Sequence, residues 1–495
     1  MAQVNIIGSG FSSLAAAGLL AKEGHDVSIF EKNPTFGGRA RQFQDKGFTF
    51  DMGPSWYWMP DVFERFFRQF NQQPSDYYQL VKLDPSFRIF FGKGDILDIP
   101  DSYSQLEEVF ESLEVGSAKK LRSFLENAKQ KYEVGMQHLV YKQGNSLWEF
   151  ATWEVLRSLL KLDLFTSFDT YTRSHFRHEK LIALMEFPIL FLGAMPSRTP
   201  ALYSLMNYAG LRLGTWYPLG GMYEIVNGMT RLLQSLGVEF HAETEVQHIS
   251  ASGGRSTLLH TSKGAFKHDV LIAGADYHHV EQSLLPEKHR KYSPGYWNKR
   301  SLSPSCLLAF VGVKKRIKNL LHHNLFFHED FQQHAQEIYV QPKWPTKPLF
   351  YVCCPSKTDD SIAPEGMENL FFLLPIAPNL EDSPEAREEY FHYMLSKIEQ
   401  FTGEAFAADI IYRKLYCVED FKMDYHALKG NAYGLSNTLQ QTAILKPKMR
   451  SDKIGNLFYT GHLTVPGPGV PPALISGQIA AKQASQYLKN HESNL

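Results

Sequence analysis

The chain has 495 residues, of which 43% are hydrophobic, and its 51 Lys and Arg nearly balance its 52 Asp and Glu. A net charge of −1 excludes the basic field that nucleic-acid binding requires, so we expect no nucleic-acid partner. The length exceeds what one simple core needs and predicts two or three domains. The four cysteines and 19 histidines form no C-x-x-C or H-E-x-x-H pattern, so the sequence predicts no metal and reduced cytoplasmic thiols.

The first fifty residues read as a strand, a glycine turn, a helix and a second strand. Val4–Ile7 is an apolar strand, Gly8 and Gly10 form the turn, and Val27–Phe30 is a strand that runs into Glu31. In a dinucleotide-binding unit the first glycine makes the turn and the second lets the backbone approach a pyrophosphate. An acid about 20 residues later accepts hydrogen bonds from the ribose, and the helix N-terminus faces the phosphates. We therefore predict a dinucleotide site here.

A second glycine pair, followed by an arginine, indicates FAD rather than NAD. Gly37 and Gly38 let the chain pass close to the flavin side of the cofactor, and Arg39 places a fixed charge beside the pyrophosphate. Ser13 stands where the third glycine of the motif serves close helix–strand packing. Serine is small, so this departure affects only the tightness of the first turn.

The middle of the chain predicts strands over 78–100, a mostly helical region over 104–208, and a return to a helix with short strands over 216–276. Apolar strands between 307 and 374 and a charged helix over 384–402 follow. The apolar stretch 181–193 is interrupted by Glu186 and Pro188, which predicts a helix break beside a core or pocket rather than a membrane span. The amphipathic stretch 147–161 fits either a core-facing helix or one that dips into a bilayer.

The C-terminal region combines a strand, a special loop and a helix. The strand ends at Gly461, the loop contains Pro466–Ala473, and we expect the helix to open near Ile475–Gly477. This arrangement makes a second place where backbone amides can face an anionic ring or a phosphate.

Taken together, these motifs resemble the bacterial carotenoid desaturase family, in particular a phytoene desaturase branch of the Bacteroidetes type. The resemblance covers nearly the whole chain. It rests on the N-terminal glycines with Glu31 and Gly37–Arg39, and on further blocks at Asp51–Ser55, Trp56–Pro60, Tyr217–Met222, Pro304–Cys306, His322–Phe327 and Pro466–Pro471. The last block is the most specific.

The resemblance implies an α/β (α+β) fold of the FAD–amine oxidase type, with a Rossmann-like FAD domain, a β-sheet substrate domain and a helical membrane-facing region. The corresponding boundaries are 1–75, 215–300 and 446–495 for FAD, 76–103 and 301–445 for substrate, and 104–214 for the helical region. The residues expected to contact FAD are Gly8, Gly10, Phe11, Ser12, Ser13, Glu31, Lys32, Gly38, Arg39, Gly53, Pro54, Ser55, Val246, Gly461, Gly469 and Val470.

The implied activity is stepwise desaturation of phytoene to lycopene. A flavin takes the hydride from an allylic carbon, and the protein aligns the polyene and excludes water. No charged catalytic residue is required by this chemistry. Asp51 is a candidate polar group near the ring, although a turn residue that accepts bonds from backbone amides is the favoured interpretation.

Such a long hydrocarbon must be drawn from lipid. We therefore expect a cytoplasmic enzyme that associates peripherally with the cell membrane and passes electrons to oxygen or a quinone. Three alternatives remain: a carotenoid 3,4-desaturase or another later carotenoid oxidoreductase, a flavin amine oxidase or protoporphyrinogen oxidase, and an FAD-free isoprenoid-binding chaperone of the Rab escort type. The block Pro466–Pro471 argues against the second, and Glu31, Gly38, Arg39 and Gly461 argue against the third.

Overall fold

The computed structural model describes residues 1–144, 146, 149, 163–191 and 193–492. The amphipathic stretch 147–161 therefore lies, apart from one residue, outside the described part. The strands are β1 Gln3–Ile7, β2 Asp26–Phe30, β3 Gln42–Asp45, β4 Phe48–Asp51, β5 Leu80–Lys82, β6 Phe87–Gly92, β7 Asp95–Ile99, β8 Trp216–Pro218, β9 Glu239–His241, β10 Val246–Ser252, β11 Arg255–Thr261, β12 Gly264–Lys267, β13 Val270–Ala273, β14 Ser305–Val313, β15 His323–Phe326, β16 Phe350–Cys353, β17 Glu368–Ile376, β18 Ile410–Tyr416 and β19 Leu457–Tyr459.

The α-helices of the described residues range from single turns to a C-terminal helix of 23 residues. They are α1 Phe11–Lys22, α2 Pro60–Arg68, α3 Tyr103–Leu113, α4 Ser117–Val134, α5 Phe168–His175, α6 Glu179–Phe191, α7 Leu205–Leu211, α8 Tyr223–Ser235, α9 Tyr277–His279, α10 Pro294–Asn298, α11 Phe331–Tyr339, α12 Pro384–Thr402, α13 Val418–Tyr425 and α14 Val470–Glu492.

A five-stranded parallel sheet, in the order β19-β13-β1-β2-β9, forms the half of the molecule that contains the predicted dinucleotide site. The predicted β1–α1–β2 unit at its centre is confirmed. All five strands come from the three separated segments assigned to FAD, whose boundaries stay a prediction. The carboxyl ends of parallel strands share one edge of a sheet, so the residues after β1, β2, β13 and β19 meet there.

The second half is built on a seven-stranded sheet in the order β18-β14-β17-β16-β15-β6-β7. Its central strands β14 and β17 are buried along their whole length, because both faces are covered. Cys306, Leu308 and Phe310 pack toward helices α3–α6, whereas Leu307 and Ala309 pack toward α12. This alternation follows from the two-residue period of a strand.

Two local expectations are wrong. Helix α6 continues through Pro188 instead of breaking there, because its packing at Leu184, Met185 and Phe187, all buried, stabilises it against the lost backbone hydrogen bond. Helix α14 begins at Val470, five residues earlier than expected, since prolines are well tolerated in a first turn. Within the described ranges, no helix is long and apolar enough to cross a membrane.

Candidate cofactor and substrate site

The first glycine turn is shaped for a ligand as well as for the fold. Gly8 has φ +84°, and a Cβ there would lie 3.1 Å from the backbone N of Ala275, so the fold itself requires this glycine. Gly10 is different: its φ is −69°, and a Cβ would meet nothing within 4 Å. Because the protein leaves open space beside Gly10, at the N-terminus of α1, a bound phosphate can approach the backbone there.

Glu31 is buried at the end of β2 and anchors the same turn. One carboxylate oxygen accepts hydrogen bonds from the backbone N–H and hydroxyl of Ser9, at 3.0 and 2.6 Å. The other accepts from the backbone N–H and side-chain amide of Asn33, at 3.0 and 2.9 Å. Glu31 therefore holds the turn and the chain after β2 together, in addition to facing the cavity where a ribose is expected.

Arg39 is a half-buried cation that carries an unused donor. Its guanidinium lies 5.1 Å from the centre of the Tyr425 ring, and one Nη donates a long bond of 3.4 Å to the carbonyl of Asn431. Its Nε has no hydrogen-bond partner among the described residues. Burial lowers the pKa of Arg39, and the nearby carboxylate of Asp276 opposes that effect. A half-buried guanidinium with a free N–H suits an anionic ligand such as a pyrophosphate.

The turn at Gly8–Gly10, Glu31 and Arg39 form a cradle for the expected cofactor, and the C-terminal loop closes this cradle from the other side. Gly461 has φ +109°, and its backbone N–H donates to the Ser476 hydroxyl at 3.0 Å. A Cβ on Gly477 would lie 2.0 Å from the carbonyl oxygen of Ser12. Helix α14 is therefore pressed against the start of α1, and its own N-terminus at Val470 faces the cavity.

One continuous cavity of about 410 Å³ collects these features. Of the residues predicted to contact FAD, those that line it are Gly8, Gly10, Phe11, Ser12, Glu31, Lys32, Gly38, Arg39, Gly53, Pro54, Ser55, Val246, Gly461, Gly469 and Val470. Ser13 does not line it; a Cβ on Gly274 would lie 1.9 Å from the Ser13 hydroxyl oxygen, so Ser13 packs helix α1 onto the end of β13. FAD contact for each of these residues stays a prediction.

Asp51 lies outside this cavity and caps a helix. Its carboxylate accepts hydrogen bonds from the backbone N–H groups of Met222 and Tyr223, at 2.7 and 3.2 Å, where α8 begins. Gln42 donates a third bond at 3.1 Å. Burial raises the pKa of Asp51 to about 6, although these donors oppose the shift. The geometry favours the amide-capping interpretation over a catalytic one.

The far part of the cavity has a different character, because its walls are apolar and aromatic. They are formed by Trp56, Trp58, Met59, Phe187, Pro188, Met206, Cys306, Leu308, Tyr351, Phe371, Leu373 and Tyr433. Sequence reasoning named none of these as site residues individually. They come from helices α6 and α7, from the segments after β4 and after α13, and from strands β14, β16 and β17, and no local pattern marks them.

Sequence reasoning also missed several polar residues of the cradle. Ser9, Asn33, Asp276, Tyr425 and His462 all line the cavity. Ser9 and Asn33 lie inside the N-terminal glycine motif, next to Glu31, and both hydrogen-bond to its carboxylate. The others come from the ends of β13, α13 and β19, and only the fold brings them to Arg39.

Comparison with known proteins agrees with this geometry. Residues 11–485 match the family model for flavin containing amine oxidoreductases. The chain is 41% identical to a carotenoid 3,4-desaturase of Haloarcula japonica over 97% of each protein. It is 30% identical to a zeta-carotene-forming phytoene desaturase of Myxococcus xanthus, over 97% of this chain and 93% of that protein. An oxidoreductase structure from Methanosarcina mazei superposes with a TM-score of 0.64 at 16% identity, over 97% of this chain and all of the other.

The chain therefore belongs to the flavin containing amine oxidoreductase family. Its fold is the FAD-dependent amine oxidase type, and its cofactor is FAD. The open space at Gly10, the free donor of Arg39 and the α14 N-terminus at Val470 fit a dinucleotide with a negative pyrophosphate. Family membership argues against the FAD-free chaperone alternative.

Proposed function

We propose that this protein is an FAD-dependent carotenoid desaturase of carotenoid biosynthesis. The observation that carries the proposal is the continuity of one cavity from the glycine cradle into a wall of aromatic and aliphatic side chains. A polyene hydrocarbon has no polar group to recognise, so its binding must come from apolar area and shape. The names of the relatives at 41% and 30% identity support the same substrate class.

Desaturation breaks two C–H bonds and forms one C=C bond. Bound FAD supplies the acceptor for the hydrogen that leaves as hydride. The chain's own task is to hold the polyene and to keep water away from the cationic carbon skeleton. Trp56, Phe187 and Leu308 supply rigid apolar walls for this purpose. The second hydrogen leaves as a proton, and the electrons pass on to oxygen or a quinone.

Among carotenoid substrates, we favour 3,4-desaturation of an acyclic, already desaturated carotenoid. The support for this choice is the greater identity to the 3,4-desaturase, 41% over 97% of the chain. Stepwise desaturation of phytoene toward lycopene is the second candidate, favoured by the motif resemblance and by the phytoene desaturase at 30% identity.

We also propose peripheral association with the cytoplasmic face of the cell membrane, because both candidate substrates partition into lipid. The three-part domain layout is part of the same proposal: an FAD domain from 1–75, 215–300 and 446–495, a substrate domain from 76–103 and 301–445, and a helical region over 104–214 that faces lipid.

The test is anaerobic incubation of FAD-loaded protein with liposomes that carry either phytoene or lycopene, an already desaturated acyclic carotenoid whose 3,4-bond is still saturated. Flavin bleaching and pigment extraction are followed together. Bleaching with only the second substrate supports 3,4-desaturation, and bleaching with phytoene supports the second candidate. Bound FAD without bleaching by either substrate refutes the desaturase proposal. Flotation of the protein with empty liposomes tests membrane association separately.

A further inference from the structure

Three ligand-type side chains converge behind the aromatic wall, outside the FAD cradle. His323 in β15 and Cys353 in β16 are direct partners in the antiparallel register, and His322 precedes His323. All three side chains are buried. One ring nitrogen of each imidazole and the Cys353 Sγ lie within 4.8 Å of one another. The sequence pattern predicts no metal, because these residues lie on different strands rather than in one short motif.

The Nδ1 atom of each imidazole lies within hydrogen-bond distance of a hydroxyl group. The Nδ1 of His322 is 2.8 Å from the Thr358 hydroxyl, and the Nδ1 of His323 is 2.6 Å from the Tyr351 hydroxyl. The ring of His323 also stacks on Trp56 at 4.0 Å. Both Nε2 atoms lack a hydrogen-bond partner among the described residues. Metal-binding histidines show this arrangement, in which a hydrogen bond at one nitrogen orients the ring and leaves the other for the ion.

Buried polar atoms without partners are uncommon, and a bound ion or water is a standard reason for them. A small cavity of about 20 Å³ adjoins His322 and Cys353, and Asp51 also lines it. That space is enough for one water molecule. The carboxylate of Asp51 adds negative charge beside a bound cation, although its own hydrogen bonds already go to the start of α8.

We propose that His322, His323 and Cys353 bind one zinc ion, with a water molecule in the small cavity as the fourth ligand. Two imidazoles and one thiolate form a donor set that zinc accepts, and three protein ligands leave a fourth position open. Zinc–ligand bonds of about 2.0–2.3 Å require ligands about 3.5 Å apart, so binding draws the side chains together by about 1 Å. The ion then links β15 to β16 behind Trp56 and Tyr351.

The experiment uses the full-length, FAD-loaded protein, expressed without a histidine tag and with zinc in the medium. We expect about one zinc per chain by elemental analysis. Replacement by cobalt is expected to produce a thiolate-to-cobalt charge-transfer band, together with ligand-field bands at longer wavelengths than the flavin absorption. Cys353→Ser is expected to lose both the ion and the charge-transfer band.

Matched variants locate the site. Cys354→Ser is the control, because this buried thiol is the next residue and packs in the opposite core, toward α12. It is expected to keep the zinc. His322→Gln is also expected to lose the zinc, and it replaces Cys353→Ser as the test variant if Cys353→Ser does not fold. FAD-saturated wild-type protein that binds less than about a tenth of an equivalent after exposure to zinc overturns the proposal, and the cavity then holds only water. Loss of the ion in Cys354→Ser equally overturns the location.

Discussion

The substitution Glu31→Gln tests how the turn at the cofactor site is held. In the wild-type protein the two carboxylate oxygens accept four hydrogen bonds, two from Ser9 and two from Asn33. An amide of the same shape has one oxygen and one NH₂ group. In either orientation of the glutamine amide, its NH₂ group faces a backbone N–H group, that of Ser9 or that of Asn33, and two donors then face each other. The Ser9 hydroxyl and the Asn33 amide can reorient, but a backbone N–H cannot.

The cost follows from this count. One buried backbone N–H loses its acceptor, which costs about 1–3 kcal/mol. The other backbone N–H keeps an acceptor that is now neutral rather than charged, and it loses about 1 kcal/mol. We therefore expect the free energy of unfolding of the FAD-free protein to fall by about 2–4 kcal/mol. If the carboxylate also binds the ribose, the FAD dissociation constant rises about 10- to 100-fold as a separate effect.

Urea denaturation of the FAD-free protein measures the first effect, and titration with FAD, followed by tryptophan fluorescence, measures the second. Glu239→Gln is the matched control, because Glu239 lies on the adjacent strand β9 and its side chain is 71% exposed. It is expected to change the free energy of unfolding by less than about 0.5 kcal/mol.

The two measurements refute different steps. A Glu31→Gln protein as stable as the control variant refutes the hydrogen-bond count. A destabilised variant with unchanged FAD affinity shows that Glu31 acts only on the fold, and that the expected ribose contact does not exist.

Four further substitutions separate the roles of other residues. Gly10→Ala is expected to fold with wild-type stability and to bind FAD at least about tenfold more weakly. Gly8→Ala is expected to destabilise the fold, because Gly8 has a positive φ. Thermal melts and FAD titration distinguish the two variants, and a strongly destabilised Gly10→Ala protein contradicts the reasoning. Burial raises the pKa of Asp51 to about 6, so the folded state holds that proton more tightly than the unfolded state. The wild-type protein should therefore lose about 2 kcal/mol of stability relative to Asp51→Asn between pH 4 and pH 7. If the free energies of unfolding of the wild-type protein and Asp51→Asn, measured by urea denaturation, change with pH in parallel, the raised pKa of Asp51 does not affect stability. Gly477→Ala places a methyl group against the Ser12 carbonyl and should cost about 3 kcal/mol or more, with loss of bound FAD; a normal melting temperature would show that α14 can shift.

Much of the nucleotide-binding half could be predicted from the sequence, because its signals are local. A strand, a glycine turn, a helix and an acid lie within thirty-one residues, and each has a spacing set by backbone geometry. The burial pattern of β14 and β17 and the helix over 384–402 were equally visible as apolar runs and a charged helix. The sequence predicts the start of α14 too late, because Pro471 and Pro472 are typical of a loop but also fit a first helical turn.

The sequence by itself determined the cofactor motif and the family resemblance, because Gly8, Gly10, Glu31 and Arg39 follow rules that operate over a few residues of chain. Only the tertiary structure decided which side chains form the apolar wall and that His322 meets Cys353. Those contacts depend on the register of strands that are far apart in the chain, and a shift of one residue would turn each side chain to the opposite face of its sheet.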